Sequence, residues 1–474
     1  MTRVIKPDWD ETVVPSLTGY EGSDQALKGT GSPEGTVAAD VGAIYLQSDA
    51  TRGRGWWRKD SGTSVTGWVN VVAPRAGEVY NVMDYGAVGN GVTNDTAAIQ
   101  AAIDAVPDNG GIVQLGYAHR FSQLDLSAKD GVWLRGWGIN GTHLISTNRT
   151  TTAIILCGGS GGISGRHNTV SDFRLDRDDA AGAPPTYASG NHGIGNVNGI
   201  PFGAEISRVE IRGFGDAGIY LEGPSGPVLL MRVYVFYCDM GLRLAQVASE
   251  GIGDLAFHGG HIGSCRGGIE YAGQGQGFHL LNVDCELGTA ATKPALSIAD
   301  TGAGVTVYGG SWSADSAIPD ALIEMSGHSA VFSGMYTIAQ GGMDNFYLVD
   351  GTSNMIIGGG HYNEASGGYF CTVGAGCLRS VIIPGIVDPT AFDSGKDCVN
   401  DANYLTNGTT IINGKLNGGS TYDTVLPVKM LAVGGIGVGN SASATTPGSV
   451  TKKIEVFDGA GASLGYLAVY DAIS

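Results

Sequence analysis

The chain has few charges, few prolines and no basic tract. Charged residues make up 15% of its 474 residues, and 45 acidic against 27 basic side chains give a formal net charge of −18. Binding to phosphate backbones needs a basic stripe, so nucleic acid is not an expected partner, and an anionic membrane is disfavoured for the same reason. No apolar run reaches the length that crosses a bilayer. The opening Met1-Thr-Arg-Val-Ile-Lys-Pro-Asp-Trp-Asp has no apolar core after its basic residues, so no signal peptide is expected. Cys157, Cys238, Cys265, Cys285, Cys371, Cys377 and Cys398 form no CxxC pair and no zinc-like spacing with histidine. They read as small buried hydrophobes in a reducing compartment. No calcium loop is visible, so no metal or other cofactor is expected.

Glycine, by contrast, is abundant: 79 residues against 16 prolines, with no triplet period. That excludes collagen and calls for many tight turns. The glycines separate short period-two apolar runs that recur. Units begin at Ile206-Ser-Arg-Val-Glu-Ile, Leu229-Leu-Met-Arg-Val-Tyr-Val, Ile252-Gly-Asp-Leu-Ala-Phe and Phe278-His-Leu-Leu-Asn-Val. They continue at Val305-Thr-Val-Tyr, Ala330-Val-Phe-Ser, Met355-Ile-Ile-Gly and Ser380-Val-Ile-Ile, with starts 23 to 27 residues apart. One such unit cannot bury its apolar face alone, whereas stacked units bury a continuous core. The expected fold is all-β, a parallel solenoid over 139–414 with a long outer face suited to a polymer.

The flanks differ. Residues 1–30 read as a polar lead. Ala43-Ile-Tyr-Leu, Gly55-Trp-Trp-Arg-Lys and Gly67-Trp-Val-Asn-Val-Val read as a small β meander with Trp56, Trp57 and Trp68 as its core. Together, 1–75 form an N-terminal β segment. Residues 76–138 form a cap: Asn94-Asp95 offers a helix N-cap, and Ile99, Ala102, Ile103 and Val106 follow helical spacing. Such a helix covers the open end of a stack, which would otherwise expose a sheet edge. Asp176 to Gly190 reads as an inserted loop. Residues 415–474 end in two strands, Lys453-Ile-Glu-Val-Phe and Leu464-Gly-Tyr-Leu-Ala-Val-Tyr. They have little of their own to pack on, which suggests burial between chains.

The run from Tyr80-Asn-Val-Met-Asp-Tyr-Gly through Asn94-Asp-Thr-Ala-Ala-Ile-Gln, with Gly110-Gly-Ile-Val and Leu134-Arg-Gly-Trp-Gly, resembles the N-terminal cap of the pectate-lyase-like right-handed parallel β-helix family. Gly31-Ser-Pro-Glu-Gly to Gly62-Thr-Ser-Val-Thr-Gly-Trp, and the ending Lys453 to Ser474, resemble segments of bacteriophage tail fibres and tailspikes. This resemblance implies a homotrimer on the virion tail, made in the host cytoplasm and attached to the phage tail or baseplate through its N-terminus. It also implies binding, and often cleavage, of a bacterial surface polysaccharide.

Two outer surfaces are candidates for chemistry. On the second strand of each unit, Tyr220, Arg243, Glu270, Ser297 and Glu324 point outward. Asp216, Asp239, Arg266, Lys293 and Asp320 fall in the turn before it. Adjacent coils stack at roughly 4.8 Å, so Asp216 and Asp239 approach the ~5–5.5 Å of a retaining carboxylate pair. Stacked like charges would also raise one pKa, as a general acid requires. On the preceding strand, Val209/Ile211, Val233/Val235, Leu255/Phe257 and Leu281/Val283 are expected to face inward. Arg212, Phe236, His258 and Asp284 then face outward, with Glu286, Trp312 and Tyr336 beyond. Asp284 and Glu286, two strand steps apart at roughly 6.5–7 Å, fit an inverting pair. His258 would orient one of them, and Trp312 and Tyr336 would stack on sugar rings.

The catalytic candidates are thus Asp216, Asp239, Glu270, Asp284 and Glu286. The substrate-binding candidates are Tyr220, Arg243, His258, Arg266, Trp312 and Tyr336. In polygalacturonase-like relatives the catalytic Asp directly precedes the glycine that opens the strand. Here Ala217, Met240 and Gly267 hold that place, and only His192-Gly-Ile matches the His-Gly element. The expectation is a glycoside hydrolase that depolymerises surface polysaccharide. A lyase using Arg243, Arg266 and Lys293 ranks second because carboxylates outnumber cations, and a non-catalytic receptor-binding fibre is the other alternative.

Overall fold

The structure, a computed structural model, describes residues 26–49, 55–71 and, apart from short segments, 79–387. Beyond these it describes the strands Cys398–Asn400, Thr410–Ile411, Lys415–Leu416, Val450–Phe457 and Ser463–Tyr470. From Val79 onward the chain winds into a parallel β-solenoid in which strands pair with their counterparts one coil away. Ile206, Leu230, Phe257, Leu280, Val307, Phe332, Ile356 and Ile382 form one inward column in strict register. Each is 1% exposed or less. Burying one such side chain contributes about 1.5–3 kcal/mol, and only stacking supplies the neighbours that bury it. The unit start expected at Ile252 lies outside the described residues, and the strand there runs Leu255–Gly263.

Each coil has three straight segments. A long strand such as Glu205–Arg212 or Val228–Phe236 supplies two, because it bends in the middle. The bend is marked by a left-handed residue: Asp172 (φ 64), Arg208 (φ 52), Arg232 (φ 54), Gly259 (φ 59, followed by Gly260 at φ 132), Asn282 (φ 52), Gly309 (φ 67, followed by Gly310 at φ 82), Gly334 (φ 64) and Gly358 (φ 62, followed by Gly359 at φ 107). The flanking registers place these residues opposite one another, coil on coil. A short strand, such as Ala217–Glu222, is the third segment.

The bend resets the inside–outside alternation, and this corrects part of the expected second surface. Leu255 and Phe257 pair with Val228 and Leu230, before the bend, while Val233 and Val235 pair with Gly260 and Ile262. Leu281 therefore faces outward, 39% exposed, where it was expected inside.

The expected cap is present. The helix α1 (Thr96–Asp104) buries Ile99, Ala102 and Ile103 against the first coil. Asp95 precedes it but makes no side-chain cap hydrogen bond. Its buried carboxylate instead accepts from Val88 N (2.8 Å), Gly89 N (3.0 Å) and the His119 ring (2.7 Å), whose other nitrogen takes Gly116 N–H (2.8 Å).

The N-terminal sheet has four strands, Ala26–Gly29, Ile44–Gln47, Trp56–Lys59 and Trp68–Asn70, the first pair parallel and the others antiparallel. Its core is Ala39, Ala43, Tyr45 and Trp68, with Trp57 packed against it. Trp56, expected inside, is 54% exposed, because alternation along its strand turns it opposite to Trp57. Residues 427–474 form a separate compact unit in which Val450–Phe457 and Ser463–Tyr470 pair antiparallel. No helix among the described residues is long and apolar enough to cross a membrane.

Candidate functional site

The short strands Ala217–Glu222, Met240–Ala245 and Gly267–Ala272 form one outer wall. Tyr220, Arg243, Glu270, Ser297 and Glu324 occupy one register position on successive coils, as their spacing implies. The turn residues before them also stack. Met240 N donates to Asp216 O (2.8 Å), Gly267 N to Asp239 O (2.9 Å) and Lys293 N to Arg266 O (3.0 Å). Asp320 lies outside the described residues. Glycine permits this close stacking. A Cβ on Gly268 would sit 2.1 Å from the Ala295 carbonyl oxygen, and one on Gly218 2.3 Å from Val235.

The charges do not meet as expected. Like carboxylates are interleaved with cations. Arg243 donates to Asp216 on the coil before it and, through Nε, to Glu270 on the coil after it (2.9 Å). Asp239 pairs with Lys293 (2.6 Å) and Arg266 (3.1 Å), with Arg243 at 3.9 Å. Burial opposes the charge on Arg243, but Glu270 and Asp216 outweigh it and hold the guanidinium protonated. The repulsion that would make Asp216 and Asp239 an acid–base couple is thus replaced by attraction to shared cations. Arg266 also lies over the ring of Tyr187, 4.4 Å from its centroid.

A cleft of about 620 Å³ opens beside this network, lined among others by His192, Asn196, Asp216, Tyr220, Glu222 and Arg243. The His192 ring stacks on Tyr220 at 4.1 Å between centroids and 7° between planes. Burial lowers the His192 pKa to about 4, so the imidazole is neutral at physiological pH. Its Nδ1 is buried and makes no hydrogen bond among the described residues. The Tyr220 hydroxyl donates to Glu222 Oε2 (2.8 Å); burial first, and then this carboxylate, push the phenol's ionisation up. Asp216 is fixed a second time by Gly190 N–H (2.7 Å). Asn196 and Glu222 clasp across coils through two side chain–backbone bonds (2.7 and 2.8 Å). The cleft thus holds a neutral imidazole, a protonated phenol and an immobilised carboxylate on one rigid wall.

The second surface is assembled differently from the expectation. Asp284 and Glu286 do share a face, on either side of buried Cys285. His258, however, pairs with Leu281 before the bend, and His261 is the residue in register with Asp284. Trp312 is a correction as well: it is 0% exposed and stacks on Cys285 in the core, so it cannot meet a sugar. Tyr336 is outward, 47% exposed, in register with Ser311. Asp284 accepts from Ser311 N (2.8 Å), and Arg212 lies over Phe236 at 5.2 Å while pairing with Glu210 at 2.7 Å.

Spacing alone did not single out Glu222, Asn196 or Tyr187. Glu222 lies two residues past Tyr220 on the same strand face, and that step was the available signal. Its column is otherwise Ala245 and Ala272, so no repeat of charge marked it. Among the described residues no group of three or more His, Cys, Asp or Glu is placed to hold a metal ion. Cys157, Cys238, Cys265, Cys285, Cys371 and Cys377 are buried.

Comparison with known proteins adds to this geometry. Residues 79–164 match the family model described as "Rhamnogalacturonase A/epimerase, pectate lyase-like". Mannuronan C5-epimerase AlgE4 of Azotobacter vinelandii is 34% identical over 144 residues, 28% of this chain and 26% of that protein. Alginate lyase 7 of the same organism is 34% identical over 146 residues, 28% of this chain and 17% of that protein. Among solved structures, the A-module of that epimerase matches with a TM-score of 0.51 and 18% identity, covering 71% of this chain and 95% of the module. The full-length tailspike protein 2 from Escherichia coli O157:H7 bacteriophage CAB120 also gives 0.51 and 18%, covering 80% of this chain and 53% of the tailspike. The chain therefore shares the parallel β-helix fold of both, and its sequence matches span only about a quarter or less of the curated relatives' length.

Proposed function

We propose that the chain is a polysaccharide depolymerase whose active site is the cleft beside Asp216, and that it serves as the glycan-cleaving part of a phage tailspike. The observation that carries this reading is the cleft itself: a neutral buried His192, Tyr220 and a doubly anchored Asp216 on the outer wall of a solenoid. Glycoside hydrolysis is the preferred chemistry. Asp216, Asp239, Glu222 and Glu270 outnumber Arg243, Arg266 and Lys293 around the cleft, and such a field favours an oxocarbenium-like transition state. A substrate carboxylate would find Arg243 already engaged by two acids. In this reading Asp216 faces the developing positive charge, and Glu222 takes the Tyr220 proton as Tyr220 takes one from the water whose oxygen bonds the anomeric carbon. The glycosidic oxygen leaves and is protonated from solvent, and Asp239 with Glu270 keeps Arg243 and Arg266 in place. Asp284 and Glu286 then lie outside the active site.

One observation favours β-elimination as the second reading. His192 is a base available at neutral pH, and the partial sequence matches include an alginate lyase and uronate epimerases. The tailspike context, with attachment through residues 1–75 and a homotrimer closed by 415–474, is supported by the resemblance of those segments and by the fold shared with a full-length tailspike.

The test is a reducing-end assay of purified protein on surface polysaccharides from a panel of bacteria, read together with ultraviolet absorbance of an unsaturated uronate. New ends without that absorbance support hydrolysis, and with it elimination. Saturable binding without release overturns the enzymatic reading in favour of a receptor-binding fibre.

A further inference from the structure

The bend column has an exception that points to a second site. From the coil of Gly259 to that of Gly358 the left-handed position is filled by glycine or asparagine, which tolerate it. Three earlier coils place Asp172, Arg208 and Arg232 there, and the two arginines lack the short polar side chain that eases this conformation. Strain of this kind persists where the side chain is needed. On the coil before Asp172 the bend is enlarged. Arg135 pairs with Ser171 and His143 with Arg174, so Gly136–Thr142 stand where the next coil has only Asp172 and Phe173. That loop carries Trp137, 70% exposed.

The backbone of the loop at Trp137 is tied down. The Trp137 backbone N–H donates to Thr142 Oγ1 (3.0 Å), whose hydroxyl donates to Gly116 O (2.8 Å), while Gly138 N–H donates to Asp172 O (2.8 Å). The loop, Asp172, Arg208, Arg232 and Tyr234 enclose a cleft of about 430 Å³. Asp172 and Arg208 satisfy each other through two bonds (2.6 and 2.8 Å). Arg232 is exposed and makes no ion pair or side-chain hydrogen bond among the described residues. In a chain of net charge −18, an exposed guanidinium beside an exposed indole on a backbone-anchored loop suits one ligand class: a sugar ring for the indole face and an anionic substituent for the guanidinium.

We propose that the bend face around Trp137 and Arg232 is a second, non-catalytic binding site for an acidic polysaccharide, distinct from the cleft at Asp216. It lies on the bent long strands, whereas the catalytic cleft lies on the short strands. The site would hold a long polymer while another stretch of it is cut, and in that role it rests on the proposed depolymerase activity.

The test is affinity electrophoresis of the full chain in gels containing polymannuronate, polygalacturonate or neutral dextran. Wild type should be retarded by a polyuronate and not by dextran. Trp137→Ala and Arg232→Gly should each weaken that retardation about tenfold, while Trp56→Ala leaves it unchanged. Arg232→Gly relieves the left-handed strain, so it should melt at or above the wild-type temperature, which separates lost binding from lost fold. Equal retardation of wild type and both variants, or no retardation of wild type by either polyuronate, overturns the site. Retardation that depends on Trp137 in a protein releasing no reducing ends from any glycan would leave this site standing and overturn the depolymerase reading. The reverse pattern would do the opposite.

Discussion

The solenoid carries two acidic outer faces, and they are built on different rules. Around the short strands, acids and bases from neighbouring coils alternate. Arg243 ties Asp216 to Glu270, and Asp239 is shared by Arg266 and Lys293. Around the post-bend strands, Asp284 leans on a backbone N–H and Glu286 is exposed beside it. The spacing of Asp284 and Glu286 along one strand fits an inverting pair about as well as anything on the first face does. Spacing therefore does not separate the two faces. What separates them is the charged cross-coil partner: one face is locked by ion pairs beside a cleft, whereas Asp284 and Glu286 make no ion pair among the described residues.

The largest expected difference is catalytic. Asp216→Asn should lower turnover on a cleaved glycan by about 10²-fold or more, with Glu222→Gln close behind. The double variant Asp284→Asn with Glu286→Gln should stay within about twofold of wild type, because charged surface positions away from the cleft contribute little. Full activity of Asp216→Asn, or loss in the double variant, would reverse the assignment of the faces.

Stability should divide the two aromatics once expected to bind sugar. Trp312→Ala empties a fully buried position and should cost about 3–5 kcal/mol, whereas Tyr336→Ala should change stability by about 0.5 kcal/mol or less. Denaturant midpoints of the two variants decide whether Trp312 belongs to the core.

Acid should act on the buried imidazoles. Burial holds both His192 and His361 near pKa 4 in the folded chain, below the usual histidine range. Between pH ~6.5 and ~4 the unfolded chain binds a proton that the folded chain refuses, so stability is complete above that window and falls as the pH drops through it. His361, hydrogen-bonded to Thr337 Oγ1 (2.8 Å) and Gly358 O (3.1 Å), should contribute about 3 kcal/mol to this loss. Urea midpoints at pH 7.5 and 4.5 should lie closer together in His361→Gln than in wild type. An unchanged gap would mean that His361 protonates freely in the folded chain.

A smaller effect on turnover than that of Asp216→Asn is expected at the Arg243 network. Arg243→Lys keeps the charge but not the fork that reaches two coils. Turnover should fall about tenfold, with the melting temperature nearly kept. A larger loss of stability than of turnover would make the network structural.

Legibility in the sequence followed the same division. The short strands have no internal bend, so period-two counting places Tyr220, Arg243 and Glu270 in one column, which is where the register puts them. The long strands contain a left-handed residue that inserts an extra outward position. Counting through it misplaced His258 and Leu281, and setting Trp312 outward placed a core residue on the surface. The fold survives such errors because its core columns repeat on many coils. The site does not, because Glu222 has only alanines beside it in its column, and Asp216 meets Arg243 and Gly190 N–H only across coils.

The helical cap has a consequence for how this rod comes apart. Each coil touches only the coils above and below it, so opening spreads along one axis, link by link. The coil beneath α1 is shielded by the buried Asp95–His119 pair, which makes it the hardest place for that opening to begin. Amide protons should therefore exchange most slowly just beneath the helix and progressively faster along the solenoid axis away from it, so that the capped end of the solenoid acts as an anchor and any fraying runs towards it.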